Sequence, residues 1–437
     1  MLRAGRGSSR PAFRKVGHVI ASGVSFDSVV MLRRSSLVLL VGVLGPGLLA
    51  GLSDDDAPGI TTYSILGADY GYELLWVLGV ATLALILFHE LGARMGVVTG
   101  QGLTGLMRER YGVRPAALGV LALLVANIGT TCAEFAGVAT SLDLAGVSRY
   151  ASVPVAAVAI SALVLLGSFH RVEHVFLLMS TLLGTYIVAA FVTGPDWGAA
   201  VHGLLVPSVP ATRAGLLAIT ATVGTTLAPW GLAFIQSYAA DKKLSVADLR
   251  YERIDVVTGA LMTGVVGFFV VVTCADTLHQ QGTSITDAGD AASALEPLAG
   301  RFASVIFGAG LLGASILAAS ILPLATAYSV SEVFGQEAKL DDPIREAPVF
   351  YGTFAVVIVT ASALVLVPGA PLVPILYLSQ ALNAILLLPI LAFIVGITRD
   401  QALMGEHASG RIGTGLAVVA IVLLALCVGA LGVLSIS

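Results

Sequence analysis

Three consecutive aspartates, Asp54, Asp55 and Asp56, stand inside an apolar part of the chain. An uncharged run from residue 35 precedes them, and the uncharged segment 57–68 follows. A carboxylate at membrane depth costs about 2.5–3.5 kcal/mol on insertion scales, so such a group needs a partner or a function. Carboxylates beside unwound backbone carbonyls form a hard, oxygen-rich cation site suited to Mg²⁺, Mn²⁺ or Ca²⁺. The alternative is that the first apolar span ends early and these acids face water.

Helix breakers accompany the aspartates and recur later in the chain. The first span contains Gly45-Pro46-Gly47 and, at 56–59, Asp-Ala-Pro-Gly; the sixth contains Pro229 within the segment 224–231. Proline removes an amide donor and glycine allows the chain to unwind, so each span is predicted to form two half-helices. A lone proline more often marks a simple kink. Two breaks at matching positions, one of them carrying acids, favour a binding site between them.

The composition indicates a membrane protein made of helices. Hydrophobic residues make up 57% of the chain and charged residues 11%, against roughly 25% charged in an average soluble domain. The mean hydropathy is +0.94. Because lipid offers the backbone no hydrogen bonds and the period-2 pattern of barrel strands is absent, the spans should be helical. The apolar stretches predict eleven spans, at 36–66, 72–95, 116–142, 153–166, 175–192, 216–240, 256–272, 302–334, 349–366, 372–397 and 412–434.

The breaks fall five spans apart, and a repeated unit of five spans must insert its second copy upside down. This is typical of inverted-repeat transporters, whose site lies near the bilayer midplane. We therefore divide the transmembrane domain, 36–437, into a first repeat at 36–194, a second at 212–397 and an extra helix at 412–434. Residues 1–35 are predicted to form a disordered basic tail, and Met31 is an alternative start.

The positive charges predict the orientation in the membrane. Twenty of the 23 Lys and Arg residues fall on the side of the N-terminus, and the other side keeps Arg149, Arg213 and Arg301. The positive-inside rule then places the N-terminus in the cytoplasm. An odd number of spans puts the C-terminus outside the cytoplasmic membrane.

Several further motifs follow the first break. Together with 45–47, 56–59 and Pro229 they are 67–72 (Gly-Ala-Asp-Tyr-Gly-Tyr), 93–100 (Ala-Arg-Met-Gly-Val-Val-Thr-Gly), 108–111, 327–332 and Ser379-Gln380. With these motifs the sequence resembles the Nramp family of divalent-metal transporters over nearly the whole chain after residue 36. This resemblance implies an all-α polytopic membrane protein with a LeuT-like fold, discontinuous helices 1 and 6, and alternating access.

The departures from the family pattern bear on the choice of metal. The family has Asp-Pro-Gly-Asn at the first break, so Asp56 stands for the metal-binding Asp and Gly59 for the Asn. Where the family has Met-Pro-His, this chain has Ala228-Pro229-Trp230, so a thioether ligand is also missing. A thioether favours transition metals over Mg²⁺ and Ca²⁺, and Mg²⁺ sheds its waters reluctantly. The pattern resembles Nramp-related magnesium transporters, and we expect Mg²⁺ and Mn²⁺ to be carried with weak discrimination.

The remaining ligands are expected from backbone and amide groups. The resemblance implies that the carbonyls of Thr225 and Ala228 face the site from the unwound sixth span. Gln380 and Asn383 share a helix face at i, i+3. Each amide taken alone is as readily explained by a packing hydrogen bond. The predicted ligand set is Asp55, Asp56, Gly59, Thr225, Ala228, Gln236, Gln380 and Asn383.

The groups that carry protons in the family are mostly absent. The family's histidine is Trp230 here and its third-span aspartate is Thr131, so only Glu134 remains as a proton-pathway candidate. We therefore expect weak or absent proton coupling. Elsewhere, His89, Glu90 and Arg94 are expected near the cytoplasmic end of the second span, where Glu90 and Arg94 should form an ion pair.

Other classes of protein also contain acidic residues in membrane spans. An intramembrane aspartyl protease is excluded because adjacent residues on a helix point about 100° apart, and no second aspartate sits in a matching span. A LeuT-fold carrier that couples an organic solute to Na⁺ or H⁺ remains an alternative, as does a metal channel. We expect no cofactor, no nucleic-acid partner and a monomer in the lipid bilayer, with the metal ion as substrate.

Overall fold

The computed structural model describes residues 51, 53–165, 178, 181–241, 244–335 and 345–436. The predicted tail at 1–35, the Gly45-Pro46-Gly47 element and the first part of the fifth span lie outside the described residues.

The described chain is built from helices. In chain order they are α1 (Ala57–Tyr70), α2 (Leu75–Thr99), α3 (Leu103–Tyr111), α4 (Val113–Asp143), α5 (Arg149–Leu165), α6 (Thr185–Thr193), α7 (Trp197–Leu205), α8 (Arg213–Thr226), α9 (Pro229–Asp241), α10 (Leu249–Cys274), α11 (Ala288–Ser293), α12 (Glu296–Ala299), α13 (Ala303–Val333), α14 (Pro348–Val365), α15 (Leu372–Thr398), α16 (Gln401–Met404) and α17 (Arg411–Ile436). Short 3₁₀ segments occupy Thr181–Gly184, Val246–Asp248, Gly300–Phe302 and Gly405–His407, and a π-helical turn occupies Ala275–His279.

The helices match the predicted spans closely. In the part of the chain that the structure describes, eight helices are at least 18 residues long and apolar enough to cross a membrane, counting α8 and α9 together. Shorter apolar helices cover Arg149–Leu165 and Thr181–Thr193 and overlap the predicted fourth and fifth spans, and α1 overlaps the end of the first. The all-α polytopic class is confirmed.

The first predicted break lies at Asp55 and Asp56. Gly51, Ser53 and Asp54 are helical, and the chain then leaves the helical conformation until α1 begins at Ala57. Asp56 is extended, with φ −82° and ψ 177°, and its carboxylate accepts a hydrogen bond from the amide of Gly59 at 2.7 Å. Asp56 is therefore the N-cap of α1.

The second predicted break is shorter than expected. Helix α8 continues through Thr226, only Leu227 and Ala228 are non-helical, and α9 begins at Pro229. The prediction that Thr225 lies in unwound chain is wrong, because residues 213–226 satisfy the helical pattern up to the last turn. Its carbonyl still belongs to that last turn, where a helix leaves four carbonyls without intrahelical donors.

Two groups of helices surround the breaks. Helix α4 packs along α13 and α15, while a second group is formed by α2, which packs against α9 and α10, and by α1, which packs against α10. Small residues allow the backbones of the second group to approach closely: a Cβ at Gly67 would lie 2.4 Å from the carbonyl oxygen of Val271. A Cβ at Gly96 would lie equally close to that of Gln236. Such contacts are typical of membrane helices, which gain stability from packing rather than from the hydrophobic effect.

Candidate metal site

The two breaks meet at Gly59, in the first turn of α1. A Cβ built on Gly59 would lie 2.9 Å from the carbonyl oxygen of Asp54, 2.9 Å from Oδ1 of Asp56 and 3.4 Å from Oγ1 of Thr225. A backbone carbonyl, a carboxylate and a hydroxyl therefore converge on one point, which the absence of a side chain at Gly59 leaves open. Oxygen donors of these three kinds suit a hard divalent cation.

A second carboxyl group faces Asp56 from α4. Glu134 is fully buried, and its carboxyl group lies beside the Asp56 carboxylate and the amide of Ala57. Helix α4 can approach this closely because Gly137, one turn further along, has no side chain. A Cβ there would lie only 2.4 Å from the Cβ of Ala57. Two ionised carboxylates can only accept hydrogen bonds, so this pair requires a cation or a proton between its members.

The site is negative and buried. Asp54, Asp55, Asp56 and Glu134 are each no more than 6% exposed. Within the described segments, no Lys or Arg pairs with any of the four. Both carboxylate oxygens of Asp54 and Oδ1 of Asp55 also have no hydrogen-bond donor there. Buried charges without partners are expensive, so this donor set fits a cation well.

A hydrogen bond between α1 and α8 holds the breaks in register. The hydroxyl groups of Tyr63 and Thr226 lie 2.9 Å apart, and both side chains are fully buried. Thr226 also donates to the carbonyl of Thr222, so Tyr63 donates to Thr226. This contact joins the last turn of α8 to the second turn of α1.

The predicted amide ligands of α15 are held in a network of their own. Asn383 donates to Oγ1 of Thr130 at 2.9 Å and to Oε1 of Gln380 at 3.0 Å. Gln380 in turn donates to the hydroxyl of Ser379. The i, i+3 pairing of Gln380 and Asn383 is therefore present, and its contacts join α15 to α4. A Cβ at Gly224 would lie 1.9 Å from the carbonyl oxygen of Gln380, which places α8 against the same turn.

Gln236 lies at some distance from the aspartates. It is seven residues beyond Pro229, which corresponds to roughly 10 Å along a helix, and its side-chain amide donates to the carbonyl of Gln101 at 3.1 Å. Nearby, Glu332 accepts hydrogen bonds from the hydroxyl of Thr104 at 2.6 Å and from the amide of Gly105 at 3.3 Å. These contacts tie the start of α3 and the residue before it to α9 and to the last turn of α13.

The positions that depart from the family pattern have apolar or local contacts. Trp230 is 1% exposed and packs against Ala228 and Phe234. Thr131 is fully buried and donates to the carbonyl of Asn127, one turn earlier in α4. Neither Trp230 nor Thr131 offers the ionisable group found there in the family.

His89 lies further from the end of its helix than the sequence predicts. It is the fifteenth of 25 residues in α2, is 1% exposed, and has no hydrogen-bond partner on either ring nitrogen among the described residues. Glu90 and Arg94 do form the predicted ion pair, at 3.3 Å, and Arg253 joins it at 2.8 Å. The sequence signal for His89 was its ionisable side chain within an apolar span, which by itself marks a candidate site.

Two interrupted helices that face each other around a buried acidic site define a membrane carrier of the LeuT-fold class. Comparison with known proteins gives the family. The protein-family model described as Nramp, "Natural resistance-associated macrophage protein-like", matches residues 47–434. The chain therefore belongs to the Nramp family.

Individual relatives agree with this assignment. The protein named "Divalent metal cation transporter MntH" from Burkholderia ambifaria is 30% identical over 292 residues, which are 64% of this chain and 66% of that relative, just under two thirds of its length. The MntH of Erwinia tasmaniensis is 27% identical over 393 residues, 87% of this chain and 91% of the relative.

Solved structures support the fold. The Eremococcus coleocola manganese transporter matches with a TM-score of 0.72 and 18% identity, covering 90% of this chain and 87% of that one. Mhp1, a nucleobase-cation-symport-1 family transporter, matches with a TM-score of 0.53 and 12% identity, covering 90% and 93%. The LeuT-like fold implied by the resemblance is confirmed.

Proposed function

We propose that this protein carries divalent metal cations across the cytoplasmic membrane by alternating access, with Asp56 as the central charged ligand. The observation that carries the proposal is the convergence at Gly59 of the Asp54 carbonyl, the Asp56 carboxylate and the Thr225 hydroxyl. Membership of the Nramp family and the MntH names of its relatives support transport of a divalent metal over an enzymatic function.

The substrate we propose is Mg²⁺ or Mn²⁺. The convergent donors at Gly59 are oxygens, and Ala228 stands where a thioether would select softer ions. The carboxylate oxygens of Asp54 and Asp55 that lack a donor among the described residues can accept hydrogen bonds from water molecules that the ion keeps. A site of this kind suits Mg²⁺, which retains several of its waters when it binds to proteins.

The ligand set we propose consists of a core and a periphery. Asp56, Thr225 and the open position at Gly59 form the core, with Asp55 and the carbonyl of Ala228 at the breaks. Gln380 and Asn383 contribute from α15 by exchanging their mutual hydrogen bond for contact with the ion or its waters. Gln236 binds the ion at the far end of a transport path that runs from the breaks along α9 towards Glu332. The Oε1 atom of Gln236 has no donor within the described chain.

We further propose that cation movement follows its own gradient with little or no proton transport. The only acidic group that faces Asp56 from α4 is Glu134, and Trp230 and Thr131 take the places of the other proton-carrying groups. The N-terminus is proposed to lie in the cytoplasm, which places the Glu332 end of the path on the cytoplasmic side. The 5+5 inverted repeat, at 36–194 and 212–397, is part of the same proposal.

Transport by purified protein in liposomes tests this function. Mn²⁺ and Mg²⁺ influx would be measured together with internal pH for the wild type and for Asp56→Asn. Asparagine keeps the N-cap of α1 and removes only the charge. We expect both ions to enter through the wild type without internal acidification, and the variant to lose at least about tenfold in apparent metal affinity.

Asp143→Asn is the matched control, because Asp143 is exposed at the last residue of α4. Its transport should equal that of the wild type. Undiminished influx through Asp56→Asn would remove Asp56 as a ligand. Metal-driven acidification would refute the uncoupled mechanism, and uptake of an organic solute without any metal flux would favour the alternative carrier.

A further inference from the structure

The backbone and the side chain of Asp54 lie beside two different glycines, Gly59 and Gly231. Its backbone carbonyl belongs to the convergence at Gly59, whereas its side chain points to the first turn of α9. A Cβ built on Gly231 would lie 3.6 Å from Oδ1 of Asp54 and 3.3 Å from Nε2 of His89. Gly231 thus leaves open a second point, between a carboxylate and an imidazole.

Both side chains at this point lack partners. Asp54 and His89 are each 1% exposed. All four of their side-chain polar atoms are without a hydrogen bond in the described part of the protein. A buried polar group without a partner is destabilising, and here two such groups lie beside the same space. An ion that both can bind would offset this cost.

The packing of α2 against α9 fixes the imidazole in this position. A Cβ at Gly92 would lie 3.5 Å from the carbonyl oxygen of Leu232, and one at Gly96 would lie 2.4 Å from that of Gln236. These contacts repeat at intervals of four residues on both helices, so the helices run side by side. His89, one turn before Gly92, is thereby held at the level of Gly231.

We propose that Asp54 and Nε2 of His89 form a second divalent-metal site beside Gly231, next to the Asp56 site on the path along α9. The proposal rests on the proposed function, because a metal ion must reach this depth. A mixed nitrogen and oxygen donor pair suits Mn²⁺ and later transition metals better than Mg²⁺, which prefers oxygen ligands and keeps its waters. The second site therefore holds Mn²⁺ in preference to Mg²⁺, although the oxygen donors of the first site discriminate weakly.

Electron spin echo spectra of Mn²⁺ bound to the purified, tag-free protein test this site, because an imidazole ligand couples its ¹⁴N nucleus to the metal. We expect ¹⁴N coupling in the wild type and in His202→Gln, whose histidine is exposed on α7. The coupling should also persist in Asp56→Asn, since the second site does not use that carboxylate. It should be lost in His89→Gln and in Asp54→Asn.

The affinities provide a second readout. His89→Gln retains an oxygen donor, so we expect Mn²⁺ affinity to fall at least about tenfold and Mg²⁺ affinity, measured by competition, to change less than about twofold. A wild-type spectrum without ¹⁴N coupling would overturn the second site, and so would a coupling that survives in His89→Gln. The spectra are recorded on bound metal, so they decide this site separately from transport, whereas absence of metal influx in liposomes would count against the proposed function.

Discussion

Substitution of Gly59 by alanine adds one methyl group to the proposed metal site without changing its charge. The added Cβ would lie 2.9 Å from two oxygen atoms, whereas ordinary contacts begin at 3.4 Å. One of these atoms is the backbone oxygen of Asp54, which cannot rotate away. The other is Oδ1 of Asp56, which is held by its 2.7 Å hydrogen bond to the amide of Gly59.

The methyl group must therefore displace a donor by about 0.5 Å, which exceeds the roughly 0.2 Å tolerance of metal–ligand distances. We expect the KM for Mn²⁺ and Mg²⁺ influx to rise at least about tenfold, equivalent to about 1.4 kcal/mol of binding free energy. The assay is metal influx into liposomes over a range of metal concentrations, with the amount of folded protein measured by size-exclusion chromatography.

Gly429→Ala is the matched control, because Gly429 lies in α17 and a Cβ there would meet nothing within 4 Å. The control should transport like the wild type. A folded Gly59→Ala protein with unchanged KM for both ions would refute the reasoning, since the point between Asp54, Asp56 and Thr225 would then not be occupied by the ion.

Three further predictions follow from other contacts. Ala228→Met places a thioether at the second break, and a thioether favours Mn²⁺ over Mg²⁺. The KM for Mg²⁺ divided by the KM for Mn²⁺, measured by uptake into liposomes, should therefore rise. An unchanged ratio would place Ala228 outside the site. Gly96→Ala should lower the free energy of unfolding by about 1–3 kcal/mol, because its Cβ would lie 2.4 Å from a carbonyl oxygen of α9. Thermal unfolding in detergent measures this loss, and equal melting temperatures of Gly96→Ala and Gly429→Ala would contradict it. Glu332→Gln should speed hydrogen–deuterium exchange of the backbone amides of residues 102–106 roughly tenfold or more, since hydrogen bonds to a charged group are each worth about 1.5–3 kcal/mol. Unchanged exchange rates would show that Glu332 does not hold α3 in place.

Much of the fold could be predicted from apolar runs alone, and the prolines show where such prediction becomes difficult. Pro323 and Pro389 lie within α13 and α15, which continue through them. Pro58 and Pro229 instead lie in the first turns of α1 and α9. A membrane helix can accommodate a proline by a local adjustment, so proline itself does not distinguish the two cases. Nearby glycines and the three aspartates made the distinction possible at 54–59.

The candidate site was less predictable than the fold, because tertiary contacts determine which polar groups meet. Sequence placed Asp56 at a break, and the structure agrees. It could not show that Asn383 would bond to Thr130 on α4, a contact between residues 253 positions apart in the chain. Nor could it show that His89 and Asp54 would both lie beside Gly231, since their placement depends on how closely α2 approaches α9.

The placement of the helix ends explains how buried acids at the breaks are tolerated without a Lys or Arg partner among the described residues. The N-termini of α1 and α9 both lie at the breaks, and each carries roughly half a positive charge from its unpaired amides. Asp56 caps α1, and Asp54 lies beside the first turn of α9. These partial charges stabilise the carboxylates only in part, so a divalent ion at the proposed site would gain binding energy there. Because the ion would not be the only source of compensation, its departure would not leave the acids wholly unbalanced. A carrier requires this intermediate condition, since its substrate must bind and also leave.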